Sequence, residues 1–137
     1  MQKIFFILLF TGCFVQAQEA VFKSPITEYV DAPADGISLK NIDRKIILKE
    51  NEIVLKTFRP EGDTDIEIWT KADYDIHITR HKGRVIRSFN TFLIFNGEKI
   101  LAKWDFVDDG DGKIELISRT LFDSFGDNPL TSRFHID

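Results

Sequence analysis

Residues 85–106 read VIRSFNTFLIFNGEKILAKWDF, two runs rich in β-branched and aromatic residues on either side of Asn96-Gly97. Asn-Gly between apolar runs is a strong hairpin signal, because both positions of a two-residue type I′ loop need φ > 0. With Asn96 and Gly97 as the loop, Phe95 faces Glu98, Leu93 faces Ile100 and Phe89 faces Trp104. One face of the hairpin then carries Phe89, Leu93, Ile100, Ala102, Trp104 and Phe106. Such a face belongs in a core.

Working outward, Asp108-Asp109-Gly110-Asp111-Gly112 is the next turn. A five-residue loop there predicts Phe106 opposite Ile114, Trp104 opposite Leu116 and Asp105 opposite Glu115. Upstream, Lys82-Gly83 predicts a hairpin that sets Ile76 against Phe89 and Ile78 against Arg87, which sends Arg87 to a rim. Glu50-Asn51 sets Leu48 against Ile53 and Ile46 against Leu55, and Arg59 to Asp63 reads as a loop. Residues 18–36, with Pro25, Pro33 and Asp35-Gly36, read as an extended lead-in with room for one strand. No window longer than ten residues holds a helical period.

The fold class is therefore all-β, an antiparallel up-and-down meander of about eight strands. A closed or partly open barrel is expected, with a β-sandwich as the alternative, because an open sheet would leave one apolar face wet and two edges unpaired. Neither Trp69 nor Trp104 is early in the chain or preceded two residues back by Gly, so the Gly-x-Trp signature of true lipocalins is absent. No family is assigned.

The first seventeen residues, MQKIFFILLFTGCFVQA, set the expected address. Lys3, the apolar run Ile4 to Phe10 and the small-residue site ending at Ala17 have the form of a secretory signal peptide. The run is shorter than the roughly 20 apolar residues that span a bilayer. Residues 18–137 are then one β domain, secreted or periplasmic, with no integral membrane segment after cleavage. Phe10-Thr11-Gly12-Cys13 is a rival signal, a lipoprotein site that would anchor the chain through Cys13. Cys13 is the single cysteine, so the domain has no disulfide and relies on its core.

The 18 Lys and Arg against 22 Asp and Glu give a net charge of −4, and losing Lys3 with the signal makes it about −5. With no basic cluster, nucleic acid is not an expected partner.

The catalytic and metal motifs are weak. His77 and His81 have the i, i+4 spacing of a zinc site on a helix, but in Tyr74 to His81 they alternate as on a strand. At about 3.3 Å per residue their Cα atoms would stand about 13 Å apart, too far for one ion. Asp108, Asp109 and Asp111 resemble part of a calcium loop, yet Val107 and Ser118 occupy the positions where an EF-hand has its first and twelfth ligands. They are the metal candidates, beside the competing reading of a solvated turn. Nucleophilic catalysis has no cysteine in the domain and no Gly-x-Ser-x-Gly elbow. Neither an enzyme nor a cofactor is expected.

Trp69, Phe92, Ile94, Leu101 and Ile117 fall on the nominal outer face and need cover. The lead-in with Val21 and Phe22, the segment 125–136 or a partner protein could supply it. Trp69, Phe92 and Ile94 are accordingly the candidate contacts. The expected function is an exported, non-enzymatic binding module of a bacterial envelope or secretome, offering loops or an apolar patch to a protein partner. The alternatives are a lipocalin-like carrier of a small apolar ligand, and a hydrolase with a carboxylate pair.

Overall fold

The computed structural model describes residues 19–31, 36–73, 76–122 and 129–137. Residues 1–17, on which the expected signal peptide and Cys13 fall, lie outside them. Nine strands follow in order: β1 Ala20–Asp31, β2 Gly36–Leu48, β3 Glu52–Phe58, β4 Thr64–Lys71, β5 His77–His81, β6 Arg84–Phe95, β7 Glu98–Asp108, β8 Ile114–Phe122 and β9 Leu130–His135. All pairings are antiparallel, and the neighbours run β4-β3-β2-β1-β9-β8-β7-β6-β5. β4 also pairs β6, Thr70 with Phe92 and Lys71 with Thr91, which closes eight strands into a barrel and leaves β5 as an extra strand on β6. The meander is a barrel, not a sandwich.

Turn chemistry sets most of this register. Asn96 and Gly97 take φ of +51° and +78°, and Phe95–Glu98, Leu93–Ile100 and Phe89–Trp104 face one another as the Asn-Gly loop requires. Leu48 faces Ile53, Ile46 faces Leu55 and Ile78 faces Arg87, as their turns predict. The lead-in is a full strand: β1 pairs both β2 and β9 and so seals the barrel. Its ladder to β2 is interrupted between Ser24 and Ile26. Pro25 sits at that interruption, where a residue without a backbone N–H does least harm.

The β7–β8 register departs from expectation. Phe106 faces Ile117, Trp104 faces Arg119 and Asp105 faces Ser118, with an irregularity between Val107 and Asp108. The cause is local. Gly110 N–H and Gly112 N–H both donate to Asp108 Oδ1, at 2.8 and 2.9 Å, which winds the loop around that carboxylate. An odd slip exchanges the faces of a strand. It turns Ile117 and Arg119 into the barrel, and Glu115 is not opposite Asp105. The loop also packs on the β5–β6 turn: a Cβ at Gly110, where φ is +103°, would lie 2.6 Å from the Gly83 carbonyl oxygen. No side chain fits there without moving one of the two turns.

The core is the barrel interior. Ile46, Ile53, Leu55, Trp69, Phe89, Ala102, Trp104, Phe106, Ile117 and Phe134 form it. Trp104 stacks on Phe134 at 5.9 Å between centroids and meets Trp69 edge-on at 6.2 Å, while Phe106 contacts Phe22 and Phe89 at 5.8 and 5.5 Å. Trp69 and Ile117 are thus interior residues, 1% and 0% exposed, and need no outside cover. On the outer face, Glu28 of β1 ties down β9 by accepting from Arg133 Nη1 at 2.8 Å, with His135 Nε2 at 3.3 Å. The bond from Arg133 holds the Glu28 carboxyl below its ordinary range against the opposing pull of desolvation. The seam therefore stabilises fully above the ordinary carboxylate pKa and fades as pH falls through the lowered value.

Candidate functional site in the barrel

A small eight-stranded barrel ordinarily fills its centre with side chains, and apolar ones suffice. Here the centre also holds charge. Arg119 faces inward from β8 beside Trp104, and its guanidinium carbon lies 5.6, 5.8 and 5.7 Å from the rings of Trp69, Trp104 and Phe134. Its Nη1 donates to Glu67 Oε1 at 3.0 Å, and the same oxygen accepts from Trp69 Nε1 at 3.0 Å. The Arg119 side chain is 11% exposed and that of Glu67 38%, so the ion pair runs from the centre towards solvent. Burial pulls the Arg119 pKa down, Glu67 opposes this and the nearby Arg44 reinforces it. A guanidinium nonetheless stays charged near neutrality.

Arg44 faces inward from β2 opposite Ser24, over Phe134 at 5.2 Å, and its Nη2 donates to Tyr29 Oη at 3.1 Å. Around these groups, Thr27 Oγ1, Arg44 Nε and Nη1, Trp104 Nε1 and Arg119 Nε are buried without a hydrogen-bond partner among the described residues. Buried polar groups are ordinarily satisfied, so five such atoms around one pair of guanidiniums call for a physical account.

At one end the barrel opens into a half-open cup of about 770 Å³. Phe22, Leu48, Phe106, Ile114 and Ile136 supply apolar wall, and Lys23, Arg87, Lys113 and Asp137 the polar lining. Arg87, opposite Phe106 and exposed, stands at a rim as its pairing with Ile78 requires. A second hollow of about 500 Å³ lies between Asn41–Asp43 and Thr57–Pro60.

The three residues expected as ligand or partner contacts do not come together. Trp69 is buried in the barrel, so it is not an exposed anchor. Its neighbour Thr70 pairs with Phe92, which places Phe92 on the opposite, outer face. Phe92 is half-buried with Lys99 Nζ 4.5 Å above its ring, and Ile94 is 59% exposed. Phe92, Leu101 and Phe122 stand in one row across β6, β7 and β8, so an outer apolar stripe does exist without Trp69.

The acidic turn is organised by its own backbone. Asp108 is 4% exposed, with one oxygen occupied by two amides, and Asp109 Oδ1 accepts from Asp111 N–H at 2.9 Å. Among the described residues no three His, Cys, Asp or Glu side chains group as metal ligands, so Asp108, Asp109 and Asp111 do not form a donor set. His77 and His81 lie on exposed β5.

Arg119, Arg44, Glu67, Tyr29 and Thr27 are absent from the sequence-derived candidates. A signal for two of them exists: Arg119 shares period-two parity with Ile117 and Leu121, and Arg44 with Ile46 and Leu48. A charged residue in step with a core face is the mark of an interior polar group.

Together these features define an antiparallel eight-stranded β-barrel with a guanidinium-bearing centre and an apolar cup at one end. Comparison with family models, with curated proteins and with solved structures finds no match to this chain.

Proposed function

We propose that the chain is an exported, non-enzymatic binding protein that holds a small apolar ligand in the cup at the barrel end. The observation that carries this is the cup itself. Its volume of about 770 Å³ falls within the roughly 300 to 1,000 Å³ typical of small-molecule sites, and its walls are mainly apolar. A carboxylate-pair hydrolase needs two acids flanking a cleft. The described lining offers Asp137 alone, with no Ser, His or Cys. Such a lining suits holding a molecule better than transforming it.

A second observation favours a protein partner: Ile94 and Leu101 are 59% and 47% exposed beside Phe92 on the outer face of β6–β7. An environment-sensitive apolar dye separates the two. Saturable binding of one dye per chain is expected, with a negative heat-capacity change from apolar burial. Ile136→Lys, which puts a charge into the wall, should weaken it at least tenfold, and Ile94→Asp should leave it unchanged. Dye uptake that neither saturates nor responds to Ile136→Lys would remove the cup from consideration and leave the outer stripe as the binding surface.

A further inference from the structure

We propose that the barrel centre holds the carboxylate of a small organic acid between Arg44 and Arg119. This site shares no lining residue with the cup. The unpartnered atoms define it: Arg44 Nε and Nη1, Arg119 Nε and Trp104 Nε1 are donors, and the Thr27 hydroxyl can donate as well. Thr27 and Trp104 are both 0% exposed, so these groups cannot turn to bulk water. A cluster of donors with no acceptor lacks an acceptor-only group, and an ionised carboxylate is one.

Charge points the same way. Among the described residues, the one carboxylate that hydrogen-bonds either inward guanidinium is Glu67, whose Oε1 is already shared by Arg119 and Trp69. Asp65 shares a row with Arg44 through Thr57, but its Oδ2 is held by Arg59 at 2.6 and 2.7 Å. Lys40, opposite Thr27, is exposed, so solvent screens its charge from the site. One excess positive charge among the two guanidiniums and Glu67 is neutralised by a monoanion, and a phosphate dianion would overshoot. The two oxygens of a carboxylate can accept from one guanidinium each, and the Phe134 and Trp104 rings over which the guanidiniums lie suit an acyl or aryl body. Half-exposed Glu67 and half-buried Arg44 mark a route from solvent.

The test uses the whole domain at constant ionic strength and pH 7, with acetate, hexanoate, benzoate, phosphate or chloride as the sodium salt. The carboxylates should raise the melting temperature saturably, by about 5 °C at tenfold over half-saturation. Hexanoate and benzoate should act at lower concentration than acetate, and phosphate should match chloride. Tryptophan emission should change with the same half-saturation, because Trp104 Nε1 is one of the donors. Arg44→Gln should raise the half-saturating concentration at least tenfold and Thr27→Val severalfold, so one variant remains informative if the other fails to fold. The cup variant Ile136→Lys should respond as wild type does. Equal melting in carboxylate and chloride would overturn the site, as would an undiminished response in a folded Arg44→Gln or Thr27→Val chain. A stronger effect of phosphate would overturn the ligand class.

Discussion

Trp104→Ala is expected to destabilise the domain by about 3 to 5 kcal/mol, the usual cost of truncating a large buried aromatic side chain. The indole is wholly buried, stacks on Phe134, meets Trp69 edge-on and has the Arg119 guanidinium over its ring. Its strand neighbours on that face are Phe89 on one side and Arg119 on the other, a ring and a charged side chain whose own contacts hold them in place. Incomplete collapse is what makes such a truncation expensive. A domain of this size holds only about 5 to 15 kcal/mol in all. Urea unfolding followed by far-UV circular dichroism measures the loss, because Trp69 complicates a fluorescence signal. A shift below about 1 kcal/mol would mean that the interior repacks around the gap.

How far the sequence reveals this fold depends on what each turn asks of the backbone. Asn96-Gly97, Glu50-Asn51 and Lys82-Gly83 are two-residue loops, and such a loop leaves its flanking strands one register. Their registers follow from residue identity alone, although the β5–β6 ladder begins at His77–Ser88, so the expected pair of Ile76 with Phe89 is not part of it and Ile76 is 50% exposed. Asp108 to Gly112 has more freedom. Its outcome turns on a side chain, Asp108, gathering two loop amides, and counting loop residues cannot detect that choice. The resulting slip reverses the face of β8, which is why Ile117 looks exposed in sequence and why Arg119 escapes notice. Trp69 is misplaced for a different reason. Within Ile66-Glu-Ile-Trp69 the two isoleucines alternate as a core face would, yet Ile66 and Ile68 are 57% and 47% exposed, and Glu67 and Trp69 point inward. Period-two reading assumes that the apolar set is the buried set. It fails where the barrel spends an inward position on a carboxylate that serves a buried arginine.

That carboxylate carries the second large effect. Glu67→Gln is expected to cost about 2 to 3 kcal/mol, and Arg119→Met less than that. Removing one partner of a buried pair costs roughly 3 to 5 kcal/mol because the other charge is left uncompensated. Glu67 is 38% exposed, so water recovers part of the loss and places the value below that range. Once Glu67 is replaced by a neutral amide, the Arg119 cation stays among Trp69, Trp104 and Phe134 with no paired carboxylate. Arg119→Met removes the charge and keeps a flexible apolar chain among the same rings, and Glu67 can then turn to solvent. Replacing buried charge with apolar volume is often neutral. The opposing term is the lost cation–ring attraction, about 0.5 to 2 kcal/mol. The double variant should be no less stable than Arg119→Met alone, since the amide that replaces Glu67 then faces no stranded cation, and chemical denaturation of all four chains gives the coupling directly. If Arg119→Met proves costlier than Glu67→Gln, the stacked rings and not the carboxylate are what stabilise the charge. Arg119 would then be an integral part of the aromatic core, and its charge would be held without needing a counter-ion.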